Sequence, residues 1–499
     1  MGGQYFSLAR LAERWFGPWP VQLAWFLLFA LVTRWTMLGD PNYHDDETLF
    51  FLIGQRMLDG AIPYVDVWDR KGPGLFALFA GFAAISDSVL SYQIGALVFA
   101  ALTAFVLARI AHRHTGWLGA MLAGTMYLAV LPRVMGGGGQ AGVYFNLPVI
   151  IAAWLVLARP PARGPTRASL AAMLLCGLAI TFKQTVIFDG GFLGLLLLWQ
   201  HWRAGARPAE LAKAASFYAA AGALPMLAFA AIYAGLGHFA EFWHAMVLSN
   251  LAKQYDAGND IPTRVFAMAF LLLPLLVPAV LGLTRAREYD GKTMPRGAML
   301  GWLAATLAAL VAIPNFIDHY LIPVVLVLSL CAAPFLQREP WGPVLGLLGL
   351  AVMLSFGPQF DRATRIESRQ AMTRLAGQIA VDRPEPRLFL FQGPVALYSM
   401  TGSYPPTPLL FPLHLEAMPE RNVSHLDTAG EVSRVLAWQP TTVLVRAERH
   451  SSENPETFAL VDAWVRAHCG SVKTWNLPNR YGQRLYDVWS DCRVDQAPR

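Results

Sequence analysis

Charged residues are scarce in this sequence. Asp, Glu, Lys and Arg make up 14% of its 499 residues and hydrophobic residues 55%, whereas soluble domains carry about 25% charged residues. This deficit excludes an ordinary soluble protein and indicates a polytopic α-helical membrane protein. The net charge of +6 does not indicate nucleic-acid binding, because the basic residues are dispersed between apolar runs, as in cytoplasmic loops.

Several sequence signals are also missing. There is no repeat with a period of about 20–50 residues, and no glycine-rich nucleotide fingerprint or phosphate loop. Of four cysteines, Cys176 and Cys331 lie in apolar runs and are expected to be core residues. Arg10 and Arg14 precede an apolar stretch without a small-residue cleavage site, which favours a spanning anchor over a cleaved signal peptide.

Long apolar runs dominate what is present. They lie near residues 20–38, 89–110, 116–132, 143–158, 169–184, 186–200, 214–235, 265–283, 297–313, 319–336 and 341–357. Segment 74–85 is also apolar and could either span or lie at the interface. We expect that it does not cross, because the basic loops then all fall on the cytoplasmic side, which gives about eleven spans with the N-terminus inside and the C-terminus outside. A crossing there would invert every later loop.

The first outer loop, residues 39–88, contains three consecutive acids before a predicted helix at 48–58: Asp45, Asp46 and Glu47. Such acids can simply cap a helix and complement its dipole. Polar groups held close to lipid are more often functional, however. We therefore expect one carboxylate to act as a general base, although the three acids could instead bind a divalent ion.

Basic residues lie on the same predicted side. Arg70 and Lys71 precede segment 74–85, and Lys183 ends a span. A single lysine near a helix end often only extends towards the headgroups, but two outward basic clusters together with an acidic site indicate a pocket for a lipid-linked phosphate. Asp189 lies just inside the next span, where an ionisable group needs a partner, and Lys183 is the nearest candidate.

The composition changes near residue 384. Predicted strands at 387–391, 441–446, 472–475 and 484–489 alternate with predicted helices at 429–438 and 456–468. This order indicates a small α/β domain. The sequence therefore predicts a transmembrane domain at 1–383 and a C-terminal extracytoplasmic α/β domain at 384–499. Cys469 and Cys492 are equidistant from a turn at 479–482, so a hairpin would bring them together as candidates for a disulfide.

Several of these stretches resemble a known family, the GT-C glycosyltransferases. The similarity is greatest to bacterial members related to protein O-mannosyltransferases and the lipid A aminoarabinose transferase, the family 39-like branch. The stretches that carry it, besides the acids, are Gly60-Ala61-Ile62-Pro63-Tyr64-Val65-Asp66, Lys71-Gly72-Pro73, Asp318-His319-Tyr320-Leu321-Ile322-Pro323, Phe391-Gln392-Gly393-Pro394 and the segment from Thr407-Pro408 to Leu413-His414-Leu415.

The resemblance implies roles for individual residues. Asp46 matches the catalytic aspartate of the family and Glu47 the acid beside it, while the additional Asp45 leaves open which aspartate is the base. Gly72 stands where members usually carry a proline after the lysine. By the same resemblance and the basic clusters, the donor phosphate would contact Lys71, Arg70 and Lys183, and the substrate would contact His319, Tyr320 and Asp66.

The implied activity is inverting transfer of a sugar from a polyprenyl-phosphate donor to a glycan, lipid or protein acceptor of the cell envelope. It would take place at the outer face of a bacterial inner membrane, without a required cofactor, although a divalent metal is possible. A transporter or flippase of lipid-linked sugars is the alternative, and it would favour mid-membrane charges and paired repeats. A non-catalytic lipid-binding or assembly subunit also stays open.

Overall fold

The structure is a computed structural model that describes residues 7–158, 162–252, 260–285, 294–313, 315–355, 357–382 and 386–492. The predicted domain boundary between residues 383 and 384 lies outside the described residues.

The described elements are mostly helical. The first helices are α1 (Leu8–Phe16), α2 (Trp19–Val32), α3 (Asp45–Leu58), α4 (Pro73–Ile85), α5 (Leu90–His112), α6 (Trp117–Val130), α7 (Ala141–Leu157), α8 (Arg167–Ile180), α9 (Ile187–Arg203), α10 (Pro208–Gly235) and α11 (Phe239–Trp243). The later ones are α12 (Ser249–Ala252), α13 (Ile261–Arg285), α14 (Arg296–Val311), α15 (Ile322–Leu336), α16 (Trp341–Ser355), α17 (Arg362–Asp382), α18 (Ala396–Thr401), α19 (Leu413–Glu416), α20 (Thr428–Ala437) and α21 (Pro455–His468). The strands are β1 (Leu388–Leu390), β2 (Thr442–Arg446), β3 (Cys469–Asn476) and β4 (Leu485–Cys492).

Each predicted apolar run contains one α-helix, namely α2, α5 to α10 and α13 to α16. Among the described helices, four are long and apolar enough to cross a membrane: Leu90–His112, Pro208–Gly235, Ile261–Thr284 and Asp318–Leu336. Helices α1 and α2 would add a fifth span as a pair bent by 104°. The other apolar helices are shorter, at 10–17 residues. Segment 74–85 is the helix α4.

The chain forms two compact units. The first comprises residues 1–36, 94–229 and 259–360, and the second comprises residues 37–93, 230–258 and 361–499. In the first unit, α15 packs against α6, α7, α13, α14 and α16. Its residues are buried from Ile322 to Leu336 apart from Pro323. This buried apolar helix is therefore the centre of the first unit. Cys176 and Cys331 are buried free cysteines in the same unit, as predicted.

In the second unit, the helix that carries the acids packs closely on α4. The two helices touch at Gly54, where an added Cβ would lie 2.6 Å from the backbone of Phe79 and Ala80. Phe50 on α3 contacts Phe76 and Phe79 on α4, with ring centroids 6.4 and 5.6 Å apart. A glycine at position 54 is what permits this close approach, since backbone atoms cannot move aside as a side-chain end can.

We expect Gly54→Ala to lower the free energy of unfolding by about 1–3 kcal/mol, because the new methyl group overpacks this contact. Gly81→Ala is the matched control on α4: its Cβ would have no atom within 4 Å, so the variant should be neutral or gain up to about 1 kcal/mol in helix propensity. Thermal unfolding of both variants in detergent checks this. Equal melting temperatures for the two variants would contradict the packing argument.

A four-stranded sheet completes the second unit. The strand order is β1-β2-β4-β3, with β1 parallel to β2 and the other pairs antiparallel. Its strands and the helices α20 and α21 agree with the alternation predicted from the sequence. Cys469 and Cys492 lie opposite each other in the β3–β4 ladder, as the predicted hairpin requires, and they form a disulfide, which the sequence had left open. The sheet thus ends in a covalently closed hairpin whose turn is at residues 479–482.

Candidate active site

The acidic stretch forms the first turn of α3, and its N-cap is a histidine. His44 Nδ1 accepts a hydrogen bond from the backbone N–H of Asp46 at 3.2 Å. Burial lowers the pKa of His44 to about 4, with Arg480 and Lys71 nearby acting in the same direction and Asp46 against it. The imidazole is therefore neutral at physiological pH, and this leaves Nδ1 free to accept, as the cap requires. The electrostatic contacts of His44 bring Asp46, Lys71 and Arg480 to one place.

The three acids differ in their exposure to solvent. Glu47 is fully buried, at 0% exposure, and lies within electrostatic range of Tyr92. Asp45 and Asp46 are only half-buried. Of the three predicted catalytic acids, Asp45 and Asp46 therefore keep part of their surface accessible to a bound molecule, whereas Glu47 does not.

Asp45 has an unusual electrostatic environment. Burial and the neighbouring Asp46 raise the pKa of Asp45 from 3.8 to about 7, although Arg484 and Arg446 act against the rise. The side chain keeps part of its surface, yet enough protein surrounds it to disfavour its charge. A carboxyl group that titrates near neutral pH is suited to proton transfer, so this feature supports the acidic turn as a chemical site.

The pKa of Asp45 leads to a test of stability. Because the folded pKa lies above the unfolded one, the folded protein binds this proton more tightly. The contribution of protonated Asp45 to the free energy of unfolding is therefore fully present below its ordinary pKa of 3.8, and it is lost as the pH rises through about 7. We expect Asp45→Asn to raise the melting temperature at pH 8 by about 2 °C or more, and to change it less at pH 5. A difference independent of pH would contradict the raised pKa.

The predicted basic pair lies beside a further acid. The backbone N–H of Lys71 donates to Asp69 Oδ1 at 2.8 Å, and its Nζ lies 3.8 Å from the same oxygen. Lys71 Nζ also lies 5.2 Å from the ring centroid of Phe50 on α3. Arg70 forms an ion pair with Glu420. The pair is thus held by carboxylates of the second unit, and Lys71 is directed towards the helix that carries the acids.

Tyr64 fixes the segment before Lys71. Its φ of 72° is in the left-handed region, which bulky residues rarely adopt. In this conformation its hydroxyl donates to the Lys71 carbonyl at 2.8 Å, while the ring is fully buried. Such strain persists where the surroundings impose it, often at functional sites. Asp66, in the same turn, is exposed and accepts from the Ile62 N–H at 2.8 Å, so its substrate role stays a prediction.

The C-terminal motif near His414 contacts the same loop. The Trp68 N–H donates to the Pro408 carbonyl at 2.8 Å, and the rings of Trp68 and His414 lie 4.6 Å apart. His414 Nε2 lies 4.0 Å from Asp69 Oδ2. Two stretches that the sequence singled out separately are thus brought together, and Asp69 joins them.

The remaining predicted residues lie in the first unit. Lys183 Nζ lies 4.0 Å from the ring centroid of Tyr320, whose ring is 4.3 Å from that of His319. The structure therefore brings Lys183 to Tyr320, which lies more than a hundred positions later in the chain, next to His319. The predicted Lys183–Asp189 pair is wrong: Asp189 accepts a hydrogen bond from Trp302 Nε1 at 2.7 Å instead.

The three acids of the turn could also bind a divalent metal ion, a possibility that the sequence leaves open. Among the described residues, no group of three or more His, Cys, Asp and Glu side chains is arranged to hold a metal ion. The turn itself presents the carboxyl groups of Asp45 and Asp46 and the neutral imidazole of His44, with Lys71 and Arg480 nearby.

A cavity runs along α3 in the second unit. Its volume is about 670 Å³, and α3 lines it with Thr48, Phe51, Gln55 and Leu58. Ser399 closes part of it, because its hydroxyl donates to Gln55 at 2.6 Å. The helix thus carries the acids on its first turn and lines a cavity along the rest of its length.

Sequence reasoning missed several polar residues around the acids. Asp69 is adjacent to the predicted basic pair and could have been noticed, because an acid next to two bases is a common ion-pair pattern. The others are distant in sequence and gave no signal: Arg446, Arg480, Tyr481 and Arg484.

The chain is a mostly helical, polytopic membrane protein, and its fold is that of the GT-C glycosyltransferases. The predicted resemblance is thereby confirmed. Among solved structures, ArnT from Cupriavidus metallidurans bound to undecaprenyl phosphate matches 93% of this chain and 97% of its own, with a TM-score of 0.59 at 15% identity. The apo state of that protein has a TM-score of 0.58.

The oligosaccharyltransferase of Archaeoglobus fulgidus in its apo form is also similar. It matches over 87% of this chain and 70% of its own, with a TM-score of 0.50 at 11% identity. No family model and no curated protein sequence matches the chain. At these identities the likeness shows the fold, and the activity has to be argued from the site.

Proposed function

We propose that the protein is a membrane glycosyltransferase that moves a sugar from a polyprenyl-phosphate donor to a cell-envelope acceptor. The observation that carries the proposal is the first turn of α3, where the half-buried Asp45 and Asp46 lie near Lys71 in a chain with the GT-C fold. The structure of ArnT with undecaprenyl phosphate supports a lipid-linked donor, because a donor of that type presents a phosphate beside the sugar.

The proposed reaction is a single displacement. Asp46 accepts the proton of an acceptor hydroxyl, and that oxygen attacks the anomeric carbon of the sugar. The bond between the anomeric carbon and the phosphate oxygen breaks as the new one forms, and its electron pair leaves with the polyprenyl phosphate. Attack from the opposite face inverts the configuration. Asp45 shares the turn and limits the total negative charge there by titrating near pH 7.

Cations would stabilise the departing phosphate, since charge develops on its oxygen in the transition state. Lys71 is our first candidate because it lies near the acidic turn. Arg70 is the second, although Glu420 already engages it. In the first unit, Lys183 is proposed as a further phosphate contact, with Tyr320 and His319 as substrate contacts beside it.

We also propose the membrane arrangement on which this reaction depends. About eleven spans with α4 outside the bilayer would place the first outer loop and the C-terminal region on the extracytoplasmic side of a bacterial inner membrane. The disulfide between Cys469 and Cys492 supports that side, because disulfides persist in oxidising compartments.

The test uses purified full-length protein in liposomes with a panel of radiolabelled polyprenyl-phosphate sugars and envelope glycolipids or peptides. Transfer of label supports the proposal and identifies the donor. Movement of a lipid-linked sugar across the vesicle membrane without transfer would support a flippase instead. Neither activity from folded protein would overturn the proposal in favour of a non-catalytic subunit.

A further inference from the structure

The turn between β3 and β4 is tightly built. The N–H of Asn479 donates to the Gly482 carbonyl at 2.9 Å, and the Gly482 N–H donates back at 3.1 Å. Asn479 Oδ1 accepts from the Tyr481 N–H at 2.8 Å. Gly482 has a φ of 107°, which glycine adopts without strain. Arg480, at the tip, is therefore presented from a defined backbone.

This turn is fastened to the loop before α3. Asn42 Nδ2 donates to the carbonyls of Leu477 and Pro478 at 3.3 and 3.1 Å. Arg365 Nη2 donates to the Asn479 carbonyl at 2.6 Å, and Tyr481 Oη lies 3.4 Å from His44 Nε2. The hairpin end is thus part of the wall around the acidic turn.

Arg480 lies in this wall with unused hydrogen-bond donors. Its guanidinium carbon lies 5.6 Å from the ring centroid of Tyr43 and 5.5 Å from that of Tyr481. Its Nε and Nη1 atoms are buried and have no hydrogen-bond partner within the described part of the chain. Burying such donors without partners costs free energy, most of all on a charged group. A ligand with anionic oxygens would satisfy them.

The positive charge near the acidic turn favours the same ligand. Arg446 and Arg484 both act on Asp45, and Lys71 acts on His44, as Arg480 does. The carboxyl groups in the same region are Asp45, Asp46 and Glu47 on the turn and Asp69 beside Lys71. Burial and the neighbouring Asp46 raise the pKa of Asp45 to about 7, so this carboxyl group carries only part of its charge at neutral pH. Arg446, Arg484, Lys71 and Arg480 are thus four cations that an anionic oxygen bound at the turn would meet.

We propose that Arg480 is a binding residue for a phosphate group of a substrate at the acidic turn of α3. The inference rests on the proposed function, and it gives the C-terminal region a direct part in substrate binding. A guanidinium presents planar pairs of N–H donors that match phosphate oxygens, with Nη2 paired either with Nε or with Nη1, so each of the two atoms without a partner can belong to such a pair. The phosphate belongs either to the polyprenyl carrier of the donor or to a phosphorylated sugar on the acceptor.

The experiment measures binding to the full-length protein in phosphatidylcholine nanodiscs, with undecaprenyl phosphate as one probe and glucose 1-phosphate as the other. We expect Arg480→Ala to weaken the Kd for at least one probe by about ten-fold or more. Arg480→Lys should recover part of the loss, because it keeps the charge and loses the fork. Arg466→Ala is the matched control: Arg466 is exposed and pairs with Asp462 on α21, so its Kd values should equal those of the wild type.

The pattern of losses identifies the source of the phosphate. Loss for undecaprenyl phosphate alone points to the donor carrier, and loss for glucose 1-phosphate alone points to a phosphorylated acceptor. Unchanged Kd values in Arg480→Ala, or wild-type protein that binds neither probe, would overturn the inference. The inference would also fail if Arg480→Ala lowered both the affinity and the melting temperature and Arg480→Lys recovered neither. The loss of packing around the side chain would then explain the weaker binding.

The sugar-transfer assay separates this inference from the proposed function. If the wild type transfers sugar and Arg480→Ala binds and transfers equally well, the inference fails while the glycosyltransferase stands. If Arg480 contributes to phosphate binding but no donor yields transfer, the phosphate site stands and the proposed activity fails.

Discussion

Asp46→Asn should lower the rate of sugar transfer by about 10²–10⁴-fold, because the amide keeps the shape of the carboxylate but cannot accept the proton of the acceptor. Binding of the donor should change little, so the loss should appear in kcat rather than in KM. The measurement is label transfer under saturating donor, with donor affinity determined separately.

Asp59→Asn is the matched control for this prediction. Asp59 follows α3 at its C-terminal end, and its carboxylate is exposed and paired with Arg56 at 3.2 Å. The same chemical change there should leave transfer intact. If Asp45→Asn abolishes transfer while Asp46→Asn does not, the base is one residue earlier. Full activity in both variants would exclude Asp45 and Asp46 as the general base and contradict the proposed reaction.

Asp40→Ala should lower the free energy of unfolding by about 3–5 kcal/mol, because it leaves a buried arginine without its counter-ion. Asp40 Oδ2 lies 2.9 Å from Arg365 Nη1, and the side chains are 0% and 3% exposed. Ser368 Oγ also donates to Asp40, at 2.7 Å. The pair joins the loop before α3 to α17, so its loss should also loosen the acidic turn. Thermal unfolding in detergent measures the effect.

A surface ion pair supplies the comparison for Asp40→Ala. Arg421 and Glu456 lie 2.7 Å apart with side chains 45% and 47% exposed, so Glu456→Ala should cost less than about 1 kcal/mol. The short distance is similar in both pairs, and burial is what differs. If the two variants destabilise the protein equally, burial does not govern the strength of the Asp40 pair.

What the sequence could predict follows from the range over which each interaction acts. The helix predicted at 48–58, the strands of the C-terminal sheet and the pairing of Cys469 with Cys492 depend on local periodicity or on symmetry about one turn. All three are found, although α3 begins three residues earlier, at Asp45. The helix at 74–85 could be predicted as an apolar segment, because that too depends only on local sequence. Its position relative to the bilayer depends on its surroundings, and stays a prediction.

The failures concern partners that are distant in the chain. Asp189 was assigned to the nearest cation, whereas its partner is the indole of Trp302, 113 residues away. Tryptophan counts as apolar in a hydropathy pattern, so its N–H donor is easily overlooked. The cap of α3 was hidden too, because histidine is not among the preferred N-cap residues. Arg480 could not be connected to the acids without the fold of the hairpin.

The contact between Asn42 and the hairpin joins residues 435 positions apart. At a synthesis rate of about 5–20 residues per second, the first loop emerges roughly 20–90 seconds before the segment that completes its wall. During that interval the acidic turn lacks Arg480 and the clamp from Arg365. A nascent chain that stops before the hairpin would therefore carry its carboxylates without the phosphate site that we propose beside them, and the proposed activity would begin only once the hairpin has been made and has folded onto the first loop.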